Sequence, residues 1–195
     1  SNPRMATKIE PESKPKRYVF VLLEDFTLLS FASAIESLRI ANRMSGKESY
    51  QWRIIGEGGD EVRCSTGSVF KVDGDLDEVS RDDTIMICGG INVQQFTTKK
   101  LLSWIRREAR KGVPVAGLCT AAYSLAKAGL LDGKRATIHW ENHDSFAEEF
   151  SEVELTKSVF VVDGNRLTTA GGTSSIDLML KLVADDLGED LANAV

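Results

Sequence analysis

The chain has 195 residues, 42% of them hydrophobic and 27% charged, with a formal net charge of −5. That is enough chain for one domain of ordinary size with a substantial core. The acidic balance argues against nucleic-acid binding by this chain alone, because basic surface supplies most of that affinity. Three cysteines (Cys64, Cys88 and Cys119) form an odd set without metal-ligand spacing, so neither a disulfide framework nor a zinc site is suggested, and no metal or cofactor is expected. Reduced thiols fit a cytoplasmic location. No run of about 18 apolar residues exists, so nothing is expected to span a membrane.

Residues 1–16 are polar, hold three of the four prolines and lack the apolar core of a signal peptide; they read as a flexible tail before a domain over 17–195. Residues 17–23 (RYVFVLL) have the near-continuous apolar pattern of a strand buried on both faces. A helical stripe follows over 28–43, with Leu28, Phe31, Ile35 and Leu38 on one side. Residues 51–56 predict a second strand, 63–72 a pair of short strands or a hairpin, and 83–88 (DTIMIC) a third buried strand ended by Gly89-Gly90. A helix is predicted over 97–111 and a fourth parallel strand over 113–118, running into a helix that ends at Ala128. Another strand (135–139) and helix (141–150) come next. Short strands at 153–155, 159–163 and 166–169 surround a Gly164-Asn165 turn. The last helix starts after Gly171-Gly172, capped by Thr173 or Ser174, with Ile176, Met179, Leu180, Val183 and Leu187 as its apolar stripe. Strands alternating with helices imply a largely parallel sheet covered on both faces.

Ligands of such sheets bind beyond the carboxyl ends of the strands. Three features fall there: the loop 24–30, the Gly89-Gly90-Ile91 turn and Cys119. Gly117-Leu118-Cys119 followed by small residues predicts a sharp strand-to-helix elbow carrying a thiol. The helix amides and dipole would lower the pKa of that thiol, whereas a buried structural cysteine is the alternative. His139, twenty residues on, either faces the same cleft as a partner for thiolate chemistry or is hydrogen-bonded in the core. Trp140 beside it would wall a pocket suited to a cation or cap the core, and His143 is placed at the surface. Gly89-Gly90 either offers amides to an anion or permits a tight turn. Gly171-Gly172-Thr173-Ser174 lacks nucleotide-loop spacing and reads as a cap and close-packing feature. The basic residues Lys99, Lys100, Arg106, Arg107, Arg110 and Lys111 read as the solvated face of a surface helix.

Four blocks in order carry a resemblance: FTLLSFASAIESLRIANRMSG (26–46), CGG (88–90), AGLCTAAYSLAKAGLLDGKRATIHWE (116–141) and TAGGTSSIDLMLKLV (169–183). Together they resemble the ThiJ/PfpI branch of the class I glutamine amidotransferase-like group, and within it the amino-terminal sensor domain of AraC-type transcriptional regulators. The resemblance implies a flavodoxin-like three-layer α/β sandwich with a mainly parallel sheet. It also implies a homodimer that controls transcription through a carboxyl-terminal DNA-binding helix-turn-helix region absent from this chain. The implied effector is a small nitrogen-containing metabolite, amine or amino-acid-like. Its pocket is expected to be lined by Phe26, Ser30, Gly90, Ile91, Cys119, Thr120, His139 and Trp140, with the Cys119 and Thr120 amides on a carboxylate and Trp140 on a cation. Enzyme members usually place an acid early in the first helix, where Ser30 stands here, and protease-like members carry His after the cysteine, where Thr120 stands. The competing reading is a cysteine-dependent hydrolase or hydratase with Cys119 as nucleophile and His139 as proton shuttle. Redox sensing through Cys119 is compatible with either.

Overall fold

The computed structural model describes residues 14–195. Of the expected tail, residues 1–13 lie outside that range, and Lys16 already belongs to the first strand. The chain runs β1 (Lys16–Leu22), α1 (Leu28–Ser45), β2 (Tyr50–Ile55), β3 (Glu61–Arg63), β4 (Val69–Lys71), β5 (Thr84–Cys88), α2 (Val93–Phe96), α3 (Lys99–Ala109), β6 (Val115–Leu118) and α4 (Ala122–Lys127). It continues through β7 (Arg135–Ala136), a 3₁₀ turn (Trp140–Asn142), α5 (His143–Glu149), β8 (Glu154–Leu155), β9 (Phe160–Asp163), β10 (Arg166–Thr169), α6 (Ser174–Leu187) and α7 (Glu189–Ala194).

Six strands form the central sheet in the order β2-β1-β5-β6-β10-β9. All neighbours are parallel except the β9–β10 hairpin at one edge, which closes through Gly164 in the left-handed region. The apolar run of β1 shows why the sheet is buried on both sides. Val19 and Val21 point into one core, with Trp104 and Ile105 of α3 and Leu125 of α4. Tyr18, Phe20 and Leu22 point into the other, with Phe31 and Leu38 of α1 and Met179 and Val183 of α6. The two-residue period of a strand thus serves two helical layers, and the architecture is the three-layer, mostly parallel α/β sandwich expected.

Differences from the expected elements lie in the second half. The strand foreseen over 135–139 is only β7, and it pairs with β8 outside the main sheet. Thr137 then donates its amide to the Thr168 hydroxyl, and its own hydroxyl to the Ser158 carbonyl. These side-chain bonds replace a ladder and carry the chain as irregular backbone to His139. The helix expected over 141–150 is split into the 3₁₀ turn and α5. In α6 the inward residues are Ser175, Leu178, Met179 and Val183, while Ile176 of the expected stripe is 37% exposed. The basic face of α3 is solvated except at two places. Arg106 donates to the carbonyls of Lys127 and Ala128, and Lys111 pairs with Glu108 and Glu78.

Candidate functional site

Strand β6 ends at Leu118 and the chain reverses at Cys119, whose φ of 61° lies in the left-handed region. A non-glycine residue holds that conformation only when its surroundings fix it. Here they do so on both sides of the peptide. The Cys119 amide donates to Thr169 Oγ1 at 3.0 Å, and its carbonyl accepts from the His139 amide at 3.2 Å. Gly117 makes the elbow possible, because a Cβ there would stand 2.8 Å from the Ala121 carbonyl carbon and the Ala122 nitrogen. The expected strand-to-helix elbow is therefore present, although α4 is one and a half turns long.

Cys119 is 2% exposed, and the Thr27 hydroxyl lies against its sulfur. Thr27 Oγ1 lies 3.6 Å away, the one hydrogen-bond partner of the sulfur among the described residues, while Ser30 and the Thr120 amide stand near enough to favour its ionised form. Burial dominates: it pushes the thiol above its ordinary 9.0, while Thr27, Ser30 and Thr120 pull the other way and the nearby Glu141 carboxylate adds to the rise. This corrects the lowered pKa expected from the elbow, since desolvation of a thiolate outweighs what one short helix and three polar neighbours return.

The surrounding loops are built for close approach. A Cβ at Gly90 would collide with the Asp25 carbonyl oxygen, so the turn after β5 can meet the loop after β1 only as glycine. Thr27 donates its amide to Gly89, and Thr120 Oγ1 donates to the Gly90 carbonyl at 2.7 Å. The Gly89-Gly90 pair therefore acts through tight packing and carbonyls. His139 packs against Gly171, where any Cβ would strike its ring. The His139 Nδ1 accepts from the Glu141 amide at 3.1 Å, which leaves the proton of a neutral ring on Nε2. Among the described residues no hydrogen bond joins that ring to the Cys119 sulfur.

A hollow of about 260 Å³ opens beside the thiol, lined by Thr27, Gly90, Ile91, Cys119, Thr120, His139, Glu141 and Asn142. It brings together five of the residues singled out from the sequence: Gly90, Ile91, Cys119, Thr120 and His139. Three others stand elsewhere. Phe26 is fully buried beneath the site, edge-on to Phe31 and Phe70. Ser30 is buried under the sulfur. Trp140 is 72% exposed, stacks on His139 at 5.3 Å, and walls a neighbouring hollow of about 280 Å³ with Ile138, His143 and Asp144. The Cys119 amide, expected to hold a ligand carboxylate, is already taken by Thr169. His143, placed at the surface from sequence, is half-buried with Nε2 3.0 Å from the Thr156 carbonyl. Thr27, Glu141 and Asn142 also line the hollow, and no sequence motif marks them. Thr27 lies inside the loop 24–30 already assigned to the sheet edge, and the other two follow the His139-Trp140 pair directly.

A thiol on a left-handed elbow, at the carboxyl end of a mostly parallel sheet and against a hydroxyl, defines a class of flavodoxin-like α/β proteins. Residues 16–185 match the DJ-1/PfpI family, and the chain belongs to it. It is 41% identical over 173 residues to the HTH-type transcriptional regulator CdhR of Pseudomonas aeruginosa, covering 89% of this chain and 51% of the relative. It is 36% identical over 191 residues to the HTH-type transcriptional regulator GbdR of the same species, covering 97% and 52%. The chain spans about half the length of these curated relatives. A crystal structure of an AraC family transcriptional regulator from Pseudomonas putida superposes with a TM-score of 0.81 at 29% identity, covering 92% of this chain and 96% of that one.

Proposed function

We propose that this chain is the effector-sensing part of an AraC-type transcriptional regulator, and that the hollow beside Cys119 receives a small nitrogen-containing metabolite. The observation that carries this reading is the state of the thiol. It is buried, burial opposes its ionisation, and its hydrogen-bond partner is the Thr27 hydroxyl, with Ser30 in the place where enzymes of the resemblance carry an acid. General acid–base help worth about 10²–10⁴-fold is missing from such a site, while its cavity is intact. Glu141 adds a carboxylate to the rim and pairs with no Lys or Arg among the described residues. An amine or quaternary ammonium group would complement it, with Thr27 and Asn142 as neutral polar partners. Trp140, on the outer side of His139, offers its face to a longer cationic ligand.

In this reading the ligand shifts a conformational population, and DNA is contacted by a helix-turn-helix region elsewhere in the full regulator, acting as a homodimer in the cytoplasm. The similarity to CdhR and GbdR supports the regulatory role. Calorimetric titration of the folded protein with betaines, carnitine and amino acids is expected to give saturable heat with one of them. Silence from every member of the panel, or turnover of a substrate that vanishes in Cys119→Ala, would remove the sensing role.

A further inference from the structure

Helix α3 carries more positive charge than its ion pairs use. Lys111 is paired with Glu108 and Glu78, and Arg107 comes within 3.9 Å of Glu108. Arg106 and Arg110, four residues apart and so on one face of the helix end, pair with no carboxylate among the described residues. Across the turn that follows α4 they meet Arg166, the first residue of β10, which is equally without an acidic partner there. The three guanidinium-bearing residues line one open hollow of about 370 Å³, floored by Ala109, Ala128 and Leu130. In a chain of net charge −5, such a concentration of positive charge is local and runs against the whole.

Two of the three side chains are held in place. Arg106 donates through Nε to the Ala128 carbonyl at 3.1 Å and through Nη2 to the Lys127 carbonyl at 3.2 Å. Arg166 donates through Nε to the Leu130 carbonyl at 3.3 Å and through Nη1 to the Asn165 carbonyl at 3.2 Å. A guanidinium has more donors than these bonds consume, so Nη1 of Arg106 and Nη2 of Arg166 keep their protons free of protein acceptors. The carbonyls are neutral, and the charges therefore stay uncancelled. Arg17 shows the opposite case: two bonds to the Asp83 carboxylate hold its pKa up. At half-buried Arg166 desolvation alone acts and pushes the pKa down. Asp132, close to Gly129 on the same turn, reaches none of the three guanidiniums within 4.0 Å.

We propose that Arg106, Arg110 and Arg166 form a binding site for a phosphate group, at the end of the sheet opposite Cys119. Planar guanidiniums recognise phosphate oxygens through paired N–H donors. A tetrahedral dianion offers each of the three an oxygen, which the two oxygens of one carboxylate do not. Arg106 and Arg166 are preorganised by their carbonyl bonds, and Arg110 closes the site from the end of α3. The same chemistry is presented by free phosphate or a phosphate ester and by a nucleic-acid backbone. The inference stands apart from the sensing reading of the Cys119 hollow.

The test uses two probes on the full chain. Isotope-labelled protein is titrated by NMR with inorganic phosphate at ionic strength held constant by chloride, and a fluorescent DNA duplex of arbitrary sequence is titrated by anisotropy. The amides of Gly129 and Leu130 should shift saturably with phosphate. Arg110→Gln should raise the apparent Kd about threefold, the range of an exposed ionic contact. Arg166→Gln should raise it about tenfold, as loss of a charged hydrogen bond does. The double variant Lys99→Gln/Lys100→Gln, at the other end of α3, should bind as wild type. If the duplex binds with the same dependence on Arg110 while free phosphate gives no shift, the phosphate belongs to a nucleic-acid backbone and the site stands. No response to either probe, equal shifts from chloride alone, or an Arg110→Gln protein that binds both probes like wild type overturns the proposal. The Arg110 side chain makes no hydrogen bond or ion pair among the described residues, so that variant decides even where Arg166→Gln does not fold. Silence from the metabolite panel would count against the sensing reading and leave this result untouched.

Discussion

At the scale of single residues, position and environment pull Cys119 in opposite directions. The elbow puts the sulfur near free amides, which favour the thiolate, but closing the fold around it removes water, which favours the thiol. The second effect wins at Cys119, and at Cys88 burial pushes the thiol far up with Cys119 adding to it. This has a consequence for stability. An acid held above its unfolded value releases its proton first from the unfolded chain as pH rises. Its stabilising contribution is therefore whole below about pH 9 and drains away as pH climbs toward the folded value. Urea unfolding at pH 7, 9 and 10 should show stability falling across the upper interval, by up to about 1.4 kcal/mol per pH unit for each thiol. Cys119→Ala should flatten that fall relative to wild type. Parallel curves for the two proteins would mean that the sulfur ionises in the folded state as easily as in water.

At the scale of elements, helix α3 carries the one buried carboxylate that its own surface must satisfy. Glu108 is fully buried on the inner side of the helix, and Lys111 Nζ reaches it at 2.6 Å while also touching Glu78 Oε1 and the Val79 carbonyl at 3.0 Å. Removing the lysine strands a buried charge, whereas removing both members does not. Lys111→Met should lower the melting temperature more than the double variant Glu108→Gln/Lys111→Met. Equal losses would show that the pair is not coupled. From sequence, Lys111 counted among solvated basic residues, because spacing alone does not reveal which long side chain folds back over a carboxylate. The same limit explains the rest of what was and was not legible. Runs such as 17–23 and 83–88 are readable because an apolar strand flanked by helical stripes has few other homes, and Gly117 with Cys119 announces the elbow. The path from Ala136 to His139 has the pattern of a strand but runs as irregular backbone, because its hydrogen bonds go to Thr168 and Ser158, partners that no local pattern encodes. The resemblance implies a pocket that includes Phe26 and Trp140. Packing sends the first below it among Phe31 and Phe70, and the second outside it against His139.

At the scale of the whole molecule, the hollow is a junction between the two cores. Its lining comes from the loop after β1, the turn after β5, the elbow after β6 and the segment leading into α5, so the segments around it belong to both helical layers. A ligand seated there binds a surface that exists only when both layers are closed on the sheet, and it must therefore oppose global unfolding rather than a local fraying. At a hundredfold excess over its Kd such a ligand adds about 2.7 kcal/mol, which for a chain of this size raises the melting temperature by roughly 5–11 °C. Glu141 makes the effect specific to charge. Its carboxylate is exposed and pairs with no Lys or Arg among the described residues. Glu141→Gln should therefore leave the ligand-free melting temperature within about 2 °C, since surface changes of this kind fall within about 0.5 kcal/mol. The same variant should abolish most of the shift produced by a quaternary ammonium ligand, because the carboxylate is the one ionised group on the rim that attracts it. A thermal-shift series with glycine betaine, carnitine and an uncharged isostere decides the matter. A full shift retained in Glu141→Gln, or an equal shift from the uncharged compound, would show that the hollow selects by shape and leaves charge unread.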